Sequence, residues 1–237
     1  MKIVTWNCNM AFRKKAEFIL NEKPDILIVP ECEHLDKLKY KNEIQLPTDS
    51  LWFGNNLNKG LGIFSYGKFQ FQLLDVHNPE IKTIIPILVT GGESNFILFA
   101  IWANNTKDKN NQYIEQVWKA INHYDEILNN ELSILTGDFN SNKIWDRKHR
   151  VGNHSAVVNK LETKSIFSIY HRHYDEEQGK ETKPTFYLQR NINKPYHIDY
   201  CFASEKLIEK IKEIEVGTFE SWIEYSDHSP LILKFEL

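Results

Sequence analysis

Pro24-Asp25-Ile26-Leu27-Ile28-Val29-Pro30-Glu31 is the stretch on which the fold turns. Four apolar residues in a row, Ile26–Val29, suit a strand covered on both faces. The run then stops on a carboxylate, Glu31. On its N-terminal side, Lys2–Trp6 reads as another strand. Phe12, Ala16, Ile19 and Leu20 mark one helix face, which Glu22-Lys23-Pro24-Asp25 breaks. On its C-terminal side, Leu61–Ser65, Phe69–Val76, Ile84–Thr90 and Asn95–Ile101 read as strands separated by Gly, Pro and Asn.

Further along, Asn110–Leu128 carries an apolar stripe through Ile114, Val117, Trp118, Ile121, Tyr124 and Leu128, which predicts a helix. Ser133–Thr136 predicts a strand, Ser155–Leu161 a helix and Ser165–Tyr170 a strand. Lys183–Leu188 and His197–Ala203 predict two more, with Arg190–Pro195 as the loop between them. Leu231–Phe235 predicts the last strand. Short strands with helices interposed imply an α/β protein of two mixed sheets covered by helices. No linker, repeat or low-complexity tract divides residues 1–237, so one domain is expected.

Composition narrows the class. The chain has 237 residues, 41% hydrophobic and 26% charged, which fits a folded protein and excludes a disordered one. Its formal charge of −3 gives no global basic bias toward nucleic acid. A carboxylate-rich site that brings its positive charge with a metal ion leaves that partner open all the same. Cys8, Cys32 and Cys201 are odd in number and lack CxxC spacing, so neither a disulfide scaffold nor a zinc site is expected. The N-terminus lacks the apolar stretch of a signal peptide, and no run approaches the ~20 residues of a membrane span. A cytoplasmic monomer with no membrane partner is expected.

The polar residues at strand ends carry the chemistry. Asn7 follows the first strand and Glu31 the second; Asp138 and Asn140 follow Ser133–Thr136 within Gly137-Asp138-Phe139-Asn140. Asp227 and His228 precede Pro230 and the last strand. Taken singly, Asn7 and Gly-Asp-Phe-Asn read equally well as turns, and Glu31 as a helix-start carboxylate. Asp199 resists that treatment, because a carboxylate inside the apolar run His197–Phe202 loses its hydration unless it is paired. If these strands are neighbours, the groups converge on one mouth, where oxygen ligands suit Mg²⁺ or Mn²⁺ better than Zn²⁺.

In order, Thr5-Trp6-Asn7-Cys8-Asn9, Pro24–Glu31, Gly137-Asp138-Phe139-Asn140, Ile198-Asp199-Tyr200 and Ser226-Asp227-His228-Ser229-Pro230 resemble the endonuclease/exonuclease/phosphatase superfamily. Gly60-Leu61-Gly62-Ile63-Phe64-Ser65 also looks like that family's glycine-led strand. The resemblance implies a four-layer α-β-β-α sandwich with its site at one end of the paired sheets, and metal-dependent phosphoester hydrolysis. It implies Glu31 as principal metal ligand, with Asn7 and Asp227 nearby. Asp138 would orient or deprotonate the attacking water and Asn140 would hold a phosphate oxygen. His228 and Asp199 would form a dyad.

The sequence departs from the pattern at two places. Trp102 stands where many relatives carry a His or Tyr that contacts phosphate, and an indole donates one hydrogen bond but transfers no proton. Asn9 replaces an Asp of the apurinic-endonuclease branch, while Asn105 matches a phosphate-binding asparagine there. The basic, aromatic run Lys143–Arg150 follows Asn140. Trp145 is placed to stack on a base, and Arg147, Lys148 and Arg150 to contact phosphates; otherwise the run is a solvated loop. Nucleic acid is the expected substrate, with a small phosphate ester as the alternative and an inactive phosphate-binding module, motivated by Trp102, as the third reading.

Overall fold

Alternation along each strand decides which layer a side chain joins. The computed structural model describes residues 1–40, 42–106, 112–129, 132–147 and 151–236. One sheet comprises β1 (Lys2–Thr5), β2 (Ile26–Cys32), β3 (Asp49–Asn56), β4 (Lys59–Ser65), β13 (Ile211–Val216) and β14 (Leu231–Phe235), in the order β13-β14-β1-β2-β4-β3. The other comprises β5 (Gln70–Leu73), β6 (Ile84–Thr90), β7 (Phe96–Trp102), β8 (Ser133–Asp138), β9 (Ile166–Ser168) and β12 (Asp199–Ser204), in the order β5-β6-β7-β8-β12-β9. A hairpin of β10 (Phe186–Tyr187) and β11 (Pro195–Tyr196) stands apart from both.

Ile3, Ile26, Ile28, Leu61 and Ile63 of the first sheet meet Ile85, Ile87, Leu98, Ala100 and Ile134 of the second in a central core. The alternate residues face outward. Val4, Leu27, Val29 and Phe64 pack under Phe12, under Ala16 and Ile19 of α1 (Ala16–Leu20), and under Trp222 of α6 (Phe219–Trp222). Ile84, Phe99, Ile101, Leu135 and Phe202 pack under α2 (Ile114–His123) and α3 (His154–Glu162). Three apolar interfaces between four layers make the α-β-β-α sandwich. Each fully buried Ile, Leu or Phe contributes about 1.5–3 kcal/mol to it.

Each sheet contains one parallel pair, β1–β2 and β7–β8, and every other pairing is antiparallel. A parallel pair needs a crossover, and these crossovers carry α1 and α2 into the outer layers. Gly137 in β8 has φ +144, and a Cβ there would lie 1.9 Å from the Ile101 carbonyl oxygen. Only glycine allows β7 and β8 to close at that point.

Several elements differ from expectation. The predicted helix from Phe12 breaks at Lys15, leaving a 3₁₀ turn (Phe12–Lys14) and α1. The predicted helix over 110–128 is α2 plus a 3₁₀ turn (Ile127–Asn129); its residues 110 and 111 lie outside the described residues. Ser165–Tyr170 yields only the short β9, because Ile169 and Tyr170 turn into the central core as the start of α4 (Ile169–Tyr174). Phe69–Val76 shortens to β5, and Lys183–Leu188 to β10. β3, β13, α6 and α5 (Glu205–Ile208) were not expected.

Candidate active site

The carboxyl ends of the two parallel pairs open at the same end of the sandwich. Asn7 follows β1, Glu31 closes β2, Trp102 ends β7 and Asp138 ends β8. The antiparallel partners bring the rest. Thr5 pairs with Leu231, which sets His228 beside the end of β1, and Asp138 pairs directly with Asp199. Asp138 shares strand parity with Ile134, and Asp199 with Cys201 and Ala203, so both carboxylates point between the sheets where the central core ends.

Asp138 is fully buried. One of its oxygens accepts from the backbone N–H of Asn140 at 2.8 Å. The other accepts from the Asn7 side-chain amide at 2.9 Å and from that of Asn140 at 2.8 Å. Asn140 spends its second amide proton on the Ala103 carbonyl at 2.9 Å, so in this geometry it braces Asp138 rather than offering a free donor to phosphate. Burial first, and then the charge of Asp199, push the Asp138 carboxyl up to about 8 against the pull of these donors and His228.

Asp199 accepts from Nδ1 of His228 at 2.8 Å, and both side chains are buried. Its other oxygen, Oδ1, has no partner although it is buried. An unmet carboxylate oxygen of this kind costs on the order of 1–3 kcal/mol or more, a cost typical of binding sites. Burial disfavours the imidazolium of His228, yet Asp199, helped by Asp138 and Asp227, raises its pKa to about 10. The carboxylates around it thus favour the charged form of His228 over the neutral one. The Thr185 hydroxyl accepts from the backbone N–H groups of both Ile198 and Asp199 at 3.0 Å, while its carbonyl accepts from Ser229 N–H at 2.8 Å. One threonine thus ties the two halves of the dyad together across the sheets.

The β2 ladder shifts register between Pro30 and Cys32, and Glu31 has φ +66. This bulge re-aims Glu31 into a cavity of about 1480 Å³, beside Lys59, Trp102, Asn105 and Asn140. Asn9 (φ +49) and Asn140 (φ +46) are also left-handed. Such strain, on the order of 1–3 kcal/mol per residue, concentrates at functional sites. Lys59 Nζ lies 3.0 Å from Glu31 Oε1 and 5.5 Å from the Trp102 ring centroid. Asn9 donates to Asp227 Oδ1 at 2.8 Å and, through its backbone N–H, to Asn7 Oδ1 at 3.0 Å.

Asp138, Asp199 and His228 offer ligand atoms within 4.8 Å of one another. Within this group only His228 and Asp199 bond to each other; the Asp138 oxygens accept from Asn7 and Asn140, and Asp199 Oδ1 is left without a partner. Glu31, Asn7 and Asp227 offer oxygen donors of the kind a hard divalent cation takes; here Glu31 Oε1 is paired with Lys59, and Asn7 Oδ1 and Asp227 Oδ1 accept from Asn9.

Among the expected substrate contacts, Trp102 and Asn105 line the cavity, whereas Trp145, which rests against Tyr196, and Arg147 are exposed and do not line it. Lys148 and Arg150 lie outside the described residues. Lys59, Thr185, Phe186 and Tyr196 were not anticipated as site residues. Phe186 lies over His228 at 4.7 Å between ring centroids.

No family model matches the sequence, and no curated protein matches it. Solved structures do. The 3' phosphatase NExo from Neisseria, bound to a product DNA hairpin, superposes with a TM-score of 0.69 at 19% identity over 100% of both chains. An AP endonuclease from Archaeoglobus fulgidus gives the same values, 0.69 and 19% over 100% of both chains. The endonuclease domain of TRAS1, a telomere-specific non-LTR retrotransposon, gives 0.64 at 15% identity over 100% of this chain and 98% of that one. The chain shares its fold with these three proteins, the α-β-β-α sandwich that the motif order implied. Among the described residues no helix is long and apolar enough to cross a membrane.

Proposed function

We propose that the protein hydrolyses phosphodiester bonds in nucleic acid with the help of a divalent cation, Mg²⁺ or Mn²⁺. The observation that carries this reading is the direct pairing of Asp138 with Asp199, which sets a buried carboxyl beside an Asp199–His228 dyad at the mouth of the sandwich. Hydrolysis needs a proton acceptor for the attacking water and positive charge for the phosphate oxygens. Asp138 takes the water's proton, held in place by Asn7 and Asn140. His228 presents its imidazolium to the phosphate, and Asp199 fixes the ring and keeps it charged. Glu31, Asn7 and Asp227 would hold the cation, whose chemistry is to neutralise phosphate charge and polarise the P–O bonds. Trp102 and Asn105 line the entrance and contact the strand there.

Nucleic acid is favoured by the fold shared with a 3' phosphatase bound to a product DNA hairpin and with an AP endonuclease, and by the exposed cations Lys143 and Arg147 beside Trp145 in sequence. A small phosphate ester is the second reading, favoured by the net charge of −3, which gives no basic bias toward a polyanion. A panel of single-stranded DNA, duplex DNA, abasic duplex, RNA and small phosphate esters, assayed with Mg²⁺ and with Mn²⁺, separates the two. Cleavage of any of the nucleic acids is expected. Turnover of small esters alone would transfer the assignment to the second reading.

A further inference from the structure

A row of rings leads out of the site. Phe186 lies on His228 at 4.7 Å, and its cross-strand partner Tyr196 lies 6.4 Å further on. Trp145 then meets Tyr196 at 5.1 Å. Exposure rises along the row: His228 is buried, Phe186 and Tyr196 are half-buried, and Trp145 is 48% exposed.

This row is mounted rather than loosely packed. The β10–β11 hairpin has two residues per strand, too few to stand alone. It is held to the site by a bridge from Phe186 to His228 and by the Tyr187 N–H donating to the Asp227 carbonyl at 2.8 Å. Trp145 ends a 3₁₀ turn capped by Asn142, whose Oδ1 accepts from Ile144 N–H at 3.0 Å. Asn142 is itself buried and anchored to the His197 carbonyl at 2.9 Å. On the other side the Asp146 carboxylate accepts from His154 and Ser155 N–H, both at 2.9 Å. The turn that carries Trp145 is thus anchored on both sides, while about half of the indole stays open to solvent and contributes nothing to burial. Exposed cations flank it: Lys143 and Arg147 beside Trp145 in sequence, and Lys194 beside β11.

We propose that this row stacks the unpaired bases of a single strand whose reacting phosphate lies at His228. The protein then prefers single-stranded or frayed substrate to fully paired duplex. A duplex has already covered both faces of each base, whereas an unpaired base has a face to give, and cations beside aromatic rings are the usual construction of single-strand tracks. The inference rests on the nucleic-acid reading and adds the state of the strand.

The test compares wild type with Trp145→Ala, Trp145→Phe and Tyr196→Leu. The substrates are one fluorescein-labelled oligonucleotide, single-stranded and as a blunt duplex, and bis(p-nitrophenyl) phosphate. KM and kcat are measured with Mn²⁺, and thermal melting confirms the fold of each variant. Wild type is expected to have the lower KM for the single strand. Trp145→Ala should raise that KM about tenfold with little change in kcat, and Trp145→Phe should recover most of the loss. Tyr196→Leu should act in the same direction and carries the test if Trp145→Ala does not fold. Unchanged single-strand KM in the folded variants, or an equal rise for the blunt duplex, overturns the proposal while leaving the nuclease reading intact. A wild type that turns over bis(p-nitrophenyl) phosphate but no oligonucleotide overturns both.

Discussion

Asp138 sits where burial and the charge of Asp199 oppose three hydrogen-bond donors, and the balance leaves its carboxyl at about 8. The sign of the pH dependence follows. A protonated Asp138 cannot accept the water's proton, so the rate should climb as pH rises through about 8. His228 loses its charge as pH passes about 10, and the rate should fall again there. Measuring kcat/KM against pH checks both limbs; a rising limb that survives Asp138→Asn would remove Asp138 from the role of base. The dyad makes a second expectation. Asp199→Asn and His228→Ala should each cost roughly 10²- to 10⁴-fold in rate. The double variant should be little worse than either, because the two residues act as one unit; a double loss equal to the product of the single ones would mean that they act independently. Asp138, Asp199 and His228 were legible because each interrupts or abuts an apolar run. Thr185 and Lys59 were not. Their partners lie 13 or more residues away in the chain, and no local pattern marks such a contact.

At the scale of elements, the inner strands were legible and the edges were not. β1, β2, β4, β6, β7, β8, β12 and β14 are covered on both faces and read as apolar runs. β3 and β13 are the two edges of the first sheet. Ile211-Lys212-Glu213-Ile214-Glu215-Val216 alternates apolar with charged residues, as an edge must to resist pairing with another chain. The edges of the second sheet, β5 and β9, were predicted too long; β9 stops where Ile169 and Tyr170 turn into the core as the start of α4. The junction of β7 and β8 gives this scale its prediction. Gly137→Ala would drive a Cβ into the Ile101 carbonyl, where the nearest atoms are all Ile101 backbone and no flexible group can yield. It should lower stability by about 3 kcal/mol or more and displace Asp138. A denaturant melt with an unshifted midpoint would show that β8 tolerates a side chain there.

Across the whole molecule, the site is a consequence of how two sheets face each other. Neither sheet contains it: Asn7, Glu31 and His228 come with the first, Asp138 and Asp199 with the second, and hydrogen bonds such as Asn7 to Asp138 cross between them. The order of the motifs made this convergence legible before the geometry did, whereas the register that sets Asp138 opposite Asp199 had to be seen. We propose that this shared mouth cleaves phosphodiesters with a divalent cation held by Glu31. The most direct measurement is the cleavage rate as Mn²⁺ is titrated into metal-stripped protein, for wild type, Glu31→Ala and His228→Ala. Wild type should be inactive in chelator and recover with a saturable curve. Glu31→Ala should move that curve to at least about tenfold higher Mn²⁺, while His228→Ala should lower its plateau and leave its midpoint in place. Full activity of the wild type in excess chelator would contradict the claim.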